Sequence, residues 1–215
     1  VRSSAASDVY KRQGTDSGVS LAALDGHMVA VDSVKAEGAK DMKLIVPKAT
    51  AKKLISMGVI DDVTLTYTKN SAVFKSDEYT IYTRLIEGKY FAYQKMFTEG
   101  EINTCASRTA LIGAMTRAKM CTEEKQPAVF QIEDDVLNIS IRDKLADYQE
   151  QVPLQETVCK SIRLGFDSRL VLETLKAFTC DNIALGFTSP RTPMIVEAED
   201  SDMKAMVLPV AIREV

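Results

Sequence analysis

Apolar and polar residues alternate along several short stretches of the chain, a pattern typical of half-buried β-strands. In the run 128–142, Val136, Ile139 and Ile141 follow an imperfect period of two. The other stretches are VSLAAL at 19–24, HMVAVDSV at 27–34 and YTIYTRLIEG at 79–88. The pattern predicts an antiparallel sheet in both halves of the chain.

Three segments instead show helical spacing. The segment Ser107 to Cys121 opens on a residue suited to cap a helix, and it places an apolar face on Leu111, Ile112, Met115 and Ala118. The other two segments are KATAKKLISMG at 48–58 and DSRLVLETLKAF at 167–178. In the first of these, Ala51, Leu54 and Ile55 form the apolar face. We therefore predict three helices.

One order of elements occurs twice, about 120 residues apart, which indicates duplicated domains rather than a solenoid. From Leu44 to Lys75 the chain gives the end of a strand, a helix, a strand, a turn and a strand. The same order returns from Ile162 to Ala198. We predict an α+β protein of repeated domains, each with helices packed on antiparallel sheets. The predicted boundary lies at 97–100, between a domain at 14–98 and one at 99–215.

The first thirteen residues, VRSSAASDVYKRQ, are small, polar and basic, and they show neither helical nor strand periodicity. They resemble the translation of a sequencing adaptor, so we exclude them from the predicted fold. The alternative is a disordered native tail. We expect the biological sequence to begin within a domain, near Gly14.

Composition limits the classes of function. The net charge of −3 and the pI near 5.4 argue against a protein that grips nucleic acid with its whole surface, so any DNA contact should be local or topological. Four widely spaced cysteines and a single histidine predict reduced thiols, no disulfide framework, no metal and no cofactor. No apolar run is long enough to cross a bilayer, so we expect no membrane partner and a cytoplasmic location.

Three separated stretches resemble one family, the bacterial DNA polymerase III beta subunit, or DNA sliding clamp. They are AALDGHMVAV at 22–31, TRLIEGKYFAYQKM at 83–96 and MVLPV at 206–210, and TSPRTPMIVEA at 188–198 is also similar to the family. The resemblance covers essentially all of residues 14–215. Relative to the family, the first domain and the opening helix of the second are missing.

The resemblance implies a ring made by a homodimer of three-domain subunits in the full-length protein. The ring encircles duplex DNA without regard to sequence and acts as a processivity factor in DNA replication. It implies no catalysis, because polymerase activity belongs to the holoenzyme. The polymerase III catalytic subunit and the clamp loader would dock through linear peptide motifs in an apolar cleft.

Carried over by position, that cleft falls on residues of three segments: Leu24, Gly26, His27, Met28, Val29, Phe91, Lys95, Met96, Arg191, Pro193, Met206, Val207, Leu208 and Pro209. Methionines suit a groove that accepts several ligands, because a flexible thioether repacks easily. The chain departs from the usual family residues at Leu24, Met28, Phe91, Arg191 and Ala211, so its preferred peptide can differ. The alternative is that Met28, Val29, Met206 and Leu208 are ordinary core residues.

The resemblance also assigns a DNA-facing role to basic residues on the three helices: Lys48, Lys52, Lys53, Arg108, Arg117, Lys119, Arg169 and Lys176. Such residues would give a weak attraction for phosphates that does not depend on sequence. The alternative is an ordinary solvated helix face, which Glu173 between Arg169 and Lys176 favours. Met120 and Cys121 match positions where the family's third domain meets the next subunit. Because its partner domain is absent, this chain should not close a ring.

Two other classes of function stay open. The first is a small enzyme that uses His27, although no sequence pattern supplies a nucleophile or metal partner. The segment Asp25-Gly26-His27 fits a tight turn better, with Gly26 supplying the unusual backbone angles. The second is a peptide-binding adaptor of similar fold with no DNA role. The acidic pairs at 61–62 and 134–135 are placed at strand starts or turns and predict no metal site.

Overall fold

Antiparallel sheet dominates both halves of the chain, as the alternating pattern predicts. The computed structural model describes residues 9–15, 18–34, 42–57, 63–90, 92–121, 126–142 and 147–212. The chain forms two compact units, Val1–Tyr93 and Gln94–Val215. The division therefore falls a few residues before the predicted boundary at 97–100.

The described residues of unit 1 form seven strands, in two sheets, and one α-helix. One sheet has the order β4-β1-β2-β3 and the other the order β5-β6-β7. The elements are β1 (Val9–Thr15), β2 (Gly18–Asp25), β3 (Met28–Val34), β4 (Lys43–Pro47), α1 (Lys48–Ser56), β5 (Thr64–Tyr67), β6 (Ser71–Lys75) and β7 (Thr80–Arg84). Residues from both sheets form one apolar core: Val19, Met42, Leu44, Val46, Ala72 and Phe74.

Helix α1 begins directly after Pro47 and has no fully buried residue. Leu54 packs against the core of unit 1. Ile55 was predicted to share the apolar face, but its side chain is 74% exposed. Consecutive residues point about 100° apart on a helix, so a small core receives one of the two side chains and leaves the other in solvent.

In unit 2 the part of the chain that the structure describes forms six strands and two α-helices. Its strands follow the order β13-β12-β11-β8-β10-β9. The elements are β8 (Ile102–Ser107), α2 (Arg108–Met120), β9 (Ala128–Arg142), β10 (Asp147–Phe166), α3 (Ser168–Ala177), β11 (Asn182–Phe187), β12 (Met194–Glu197) and β13 (Lys204–Val207). Helices α2 and α3 pack against each other, and α2 also contacts β9 and β10.

Each helix of unit 2 is capped by a side chain, which fixes where it starts. The Ser107 hydroxyl accepts from the Ala110 N–H, as the predicted cap requires. The Asp167 carboxylate accepts from the Arg169 N–H at 2.8 Å. The predicted apolar face of α2 is buried at Leu111, Met115 and Ala118 and half-buried at Ile112, together with buried Ala114.

The predicted repeat is confirmed in the order of elements. Strand β4, helix α1 and strands β5 and β6 in unit 1 correspond to the end of β10, helix α3 and strands β11 and β12 in unit 2. Every strand pair found among the described residues is antiparallel. The α+β class is therefore confirmed.

The strands differ from the sequence predictions at three places. Residues from Val9 on form β1, which pairs with both β2 and β4, so the expectation of no strand there is wrong for 9–13. Backbone hydrogen bonds to a strand on each side can hold a segment in a sheet even when its side chains do not alternate between apolar and polar. Residues 1–8 lie outside the described part of the chain. Strand β8 and the first part of β10 were not predicted either.

The third difference concerns the acidic pair at 134–135, which was placed at a strand start or turn. Both residues lie inside β9. Asp134 has a φ of 53°, and the register between β9 and β10 shifts where Val158 pairs with it. A residue in the left-handed region at a bulge lets the strand bend and continue. The pair at 61–62 lies outside the described residues.

Candidate functional site

The single histidine lies in a two-residue turn between β2 and β3. One carboxylate oxygen of Asp25 accepts hydrogen bonds from the N–H groups of His27 and Met28, both at 2.9 Å. Asp25 also pairs with Met28 across the hairpin. The predicted tight turn is therefore present. Among the described residues, the exposed His27 imidazole makes no hydrogen bond or ion pair, so no general acid, general base or nucleophile is assembled around it.

The predicted role of Gly26 in this turn is wrong. Its φ lies outside the left-handed region, and a Cβ at this position would meet no atom within 4 Å. The Asp25 side chain closes the turn through its two hydrogen bonds, which an Asx-type turn does without unusual angles at the glycine. Among the described glycines, Gly88 is the one in the left-handed region, with a φ of 136°.

Beside this turn, the predicted cleft residues of unit 1 differ in accessibility. Leu24 and Val29 pair across the β2–β3 hairpin. Val29 is fully buried, whereas Leu24 and Met28 are half-buried and Gly26 is exposed. Only the half-buried and exposed residues offer surface to a ligand, so Val29 supports this wall from behind.

Two tyrosines that the sequence reasoning did not single out fix the segment after β7. The Tyr90 hydroxyl donates to the carbonyl oxygen of Ala22 in β2 at 3.0 Å. Its ring packs edge-on against Tyr93, with ring centroids 6.2 Å apart. Both tyrosines stand in the motif that carries the second family resemblance. Predicted cleft residue Phe91, which stands between them in sequence, lies outside the described residues.

The remaining predicted cleft residues belong to unit 2. Lys95 is exposed and Met96 half-buried, both in a short 3₁₀ helix over Tyr93–Met96. Met206 and Val207 are buried in β13. The half-buried members are Pro193, Leu208 and Pro209, and Arg191 is exposed. The accessible residues therefore lie before β12 and after β13, and the strand residues between them belong to the core.

Unit 2 has a concave pocket of about 410 Å³ that includes two of these residues, Arg191 and Pro209. The end of β10 forms another side of this pocket, which we call the arginine pocket, with Arg163, Leu164 and Gly165. The chain after β13 crosses Gly165, whose carbonyl oxygen accepts from the Val210 N–H at 2.8 Å. The other lining residues are Pro190, Val210, Ala211 and Ile212.

The predicted DNA-facing residues fall into two groups. Lys52, Lys53, Lys119 and Lys176 are exposed, and Lys48 is half-buried. The arginines are engaged within the chain. The Arg108 Nε donates to the carbonyl oxygen of Cys180 at 2.6 Å, and Arg169 pairs with Asp167 at 3.7 Å. Lys52, Lys53 and Lys176, whose side chains make no such contact among the described residues, therefore offer more positive charge to a ligand than the arginines do.

Arg117 shows this engagement most clearly. Its guanidinium binds Glu150 in β10 through two hydrogen bonds, with the Nε to Oε2 distance at 2.8 Å. The Tyr148 hydroxyl lies 2.5 Å from the same Oε2 and 2.9 Å from the carbonyl oxygen of Ala114. The hydrogen bonds from Arg117 lower the pKa of Glu150, and burial together with the Glu150 carboxylate raises the pKa of Tyr148. The network ties α2 to β10.

Helix α2 ends on an exposed apolar residue. The Met120 side chain is 82% exposed, the largest exposure among the large hydrophobic residues described, and Cys121 beside it is half-buried. The described residues contain no group of three or more histidines, cysteines and acids that could hold a metal ion. None of the described helices is long and apolar enough to span a membrane.

Comparison with known families accounts for the order of the two units. The family model for the DNA polymerase III beta subunit, central domain, matches residues 10–91. The model for the C-terminal domain of the same subunit matches residues 97–211. The chain belongs to the DNA polymerase III beta subunit family. Each of its two units corresponds to one domain of that subunit, in the family's order.

Beta subunits from several bacteria resemble the chain. The beta sliding clamp of Staphylococcus aureus is 26% identical over 197 residues, which cover 87% of this chain and 52% of that protein. The beta sliding clamp of Halalkalibacterium halodurans is 23% identical over 193 residues, covering 84% of this chain and 50% of that protein. The chain thus spans about half the length of the curated relatives it matches.

Solved beta subunits share the fold. The DNA polymerase sliding clamp of Pseudomonas aeruginosa, solved with a ligand, has a TM-score of 0.87 at 20% identity and covers 95% of this chain and 58% of that one. The beta chain of Streptococcus pneumoniae has a TM-score of 0.86 at 18% identity, with 97% and 58% covered. At these identities the likeness shows the fold alone.

Proposed function

We propose that the chain is part of a DNA sliding clamp, a processivity factor that encircles duplex DNA and tethers the replicative polymerase. The observation that carries the proposal is the match to two successive domains of the beta subunit, in order, over residues 10–91 and 97–211. A clamp of this kind is an accessory subunit and performs no bond chemistry. The isolated environment of His27 supports that part of the proposal.

We take as the proposed partner site the accessible residues of the predicted cleft, considered in each unit by itself. Leu24, Met28, Leu208 and Pro209 present half-buried apolar surface. A short extended peptide with a leucine and a phenylalanine would gain about 1.5–3 kcal/mol from each buried anchor, which favours an affinity between millimolar and tens of micromolar over a nanomolar one. The proposed partners are the polymerase III catalytic subunit and the clamp loader. A sliding clamp of Pseudomonas aeruginosa has been solved bound to griselimycin, which supports a ligand site in this family.

The proposed DNA contact is a weak electrostatic one. Exposed Lys52, Lys53 and Lys176 can attract phosphates, whereas Arg117 is neutralised by Glu150. A ring that holds DNA by enclosure must slide, so a small charge excess on its helices is sufficient.

The exposed Met120 supports a subunit contact at the end of α2, and thus a homodimer ring in the full-length protein. A role on the bacterial chromosome would place the protein in the cytoplasm.

Binding of a labelled Q-L-x-L-F peptide, measured by fluorescence polarisation on the 215-residue chain, tests the partner site. Leu208→Asp should weaken binding at least about tenfold, because a charge replaces apolar contact surface. Ile86→Asp changes an exposed apolar residue outside the predicted set and should leave affinity unchanged. Absence of binding up to about a millimolar, a free energy near −4 kcal/mol, would reject the site.

The engaged arginines favour one second candidate, a peptide-binding adaptor of clamp fold without a DNA role. All three predicted DNA-facing arginines, Arg108, Arg117 and Arg169, hold a partner within the chain. Retention of the full-length protein on circular DNA, with loss from linear DNA, supports enclosure. Equal loss from both forms supports the adaptor.

A further inference from the structure

The arginine pocket is built on backbone that a side chain would disrupt. A Cβ at position 165 would lie 2.8 Å from the Val210 carbonyl oxygen, so only glycine lets the chain after β13 cross β10 here. That crossing is fixed by the hydrogen bond between the Val210 N–H and the Gly165 carbonyl. The result is a floor formed by two closely packed segments of main chain.

The turn between β11 and β12 holds the second arginine in place. The Ser189 N–H donates to the Thr192 hydroxyl at 2.9 Å, and the Thr192 N–H donates back to the Ser189 carbonyl at 3.2 Å. The Arg191 N–H lies 3.4 Å from the Ser189 hydroxyl oxygen. A turn closed by its own hydrogen bonds costs little entropy when a ligand binds, which favours recognition.

The charge of the pocket is unbalanced. Its lining combines apolar Pro190, Pro209 and Ile212 with the exposed residues Arg163 and Arg191, and no acidic residue is among the described residues that line it. Within the described residues, neither guanidinium forms an ion pair. A planar guanidinium matches a carboxylate in geometry and binds it with charge-assisted hydrogen bonds. Apolar surface next to two such groups suits an apolar side chain with a carboxylate beside it.

We propose that the arginine pocket recognises a carboxylate beside the apolar anchors of a partner peptide. The inference rests on the proposed function, because Arg191 and Pro209 belong to the proposed partner site, and it adds the chemistry of the preferred partner. Charge complementarity favours an acidic peptide. The apolar part of the lining favours a peptide over a nucleic-acid phosphate, since a phosphate chain gains nothing from proline and isoleucine surface.

The test compares two pairs of labelled peptides on the 215-residue chain by fluorescence polarisation at low ionic strength. One pair carries Asp or Asn at the variable position of Q-L-x-L-F, and the other carries Asp or Asn directly after the phenylalanine. In at least one pair, the Asp peptide should bind about threefold to tenfold more tightly than its Asn counterpart. The preference should shrink as salt is added, because the arginines are exposed.

Three variants locate the effect. The double variant Arg163→Gln with Arg191→Gln should bind the Asp and Asn peptides equally. Arg142→Gln makes the same change at an exposed arginine of unit 2 outside the pocket, and it should keep the preference. Glu214 follows the pocket in the sequence, so the comparison is repeated with Glu214→Gln. A preference that appears only in this variant would assign the pocket to the chain's own tail and overturn the proposal.

The outcomes separate this inference from the proposed function. Equal binding of Asp and Asn peptides by the unmodified chain overturns the carboxylate assignment and leaves the partner site standing. A preference that persists in the double variant also overturns it. Displacement of the Asp peptide by a short DNA duplex, lost in the double variant, would assign the arginines to phosphates instead. Absence of binding for every peptide rejects the partner site itself, and the inference with it.

Discussion

Replacing Gly165 by alanine should destabilise unit 2 and displace the chain that crosses it. The added Cβ would lie 2.8 Å from the Val210 carbonyl oxygen, 3.0 Å from the Ile212 Cγ1 and 3.3 Å from the Pro127 Cβ. The nearest of these atoms is main chain, which cannot rotate away as a flexible side chain can. The segment after β13 must therefore shift as a whole, or β10 must bend.

The size of the effect follows from three contributions. Overpacking costs about 1–3 kcal/mol, and losing the hydrogen bond from the Val210 N–H to the Gly165 carbonyl costs about 0.5–1.5 kcal/mol. Alanine restricts the unfolded chain and returns about 0.4–1 kcal/mol. We expect a net loss of about 1–3 kcal/mol in the free energy of unfolding of unit 2.

Urea unfolding followed by far-UV circular dichroism measures this loss, since the chain has no tryptophan to serve as a fluorescent reporter. Gly26→Ala is the matched control. It makes the same chemical change where a Cβ meets no atom within 4 Å and where φ lies outside the left-handed region. That variant should stay within about 0.5 kcal/mol of the unmodified chain. A Gly165→Ala chain as stable as the control would refute the crowding argument.

Two further predictions concern the polar contacts of the helices. Because Arg117 lowers the pKa of Glu150, the carboxylate contributes stability above its unfolded pKa of about 4.3 and loses it as pH falls through the lowered value. Glu150→Gln should therefore be less stable than the unmodified chain near pH 7, and this difference in the free energy of unfolding should disappear in acid. Urea unfolding at a series of pH values measures it. A difference that stays constant with pH would contradict the prediction. Asp167→Ala should lower the stability of α3 by about 1 kcal/mol, because the cap at its N-terminus is lost. Asp167→Asn keeps a side chain that can cap the helix, so it should cost only about a few tenths of a kcal/mol. Equal losses for the two variants in thermal unfolding would argue against capping.

Short-range rules predicted the helices and most strands. Each of these signals depends on residues that are close together in the sequence. Examples are Ser107 as a cap, the apolar spacing of α2 and the alternation of β9. Such signals survive in a single sequence because local backbone preference and one buried face determine them. The repeat was visible for the same reason, since two copies of one local order stand at a fixed distance.

The misses share a different cause. Strand β1 carries no alternating pattern, and its existence depends on pairing with β2 and β4, which come later in the chain. Ile55 was assigned to an apolar face, but only the size of the core decides whether one or two adjacent side chains are buried. Gly26 was given the unusual angles of a turn that the Asp25 carboxylate closes instead.

By itself, then, the sequence determined the class of fold, the duplication, the family resemblance and the residues that resemblance names. Only the tertiary structure decided which of those residues are accessible and which are already engaged. It buried Val29 and Met206, paired Arg117 with Glu150 and brought Arg163 and Arg191 to one pocket. The reason is physical: accessibility and charge balance arise from contacts between segments far apart in the chain, and no local pattern encodes their distance.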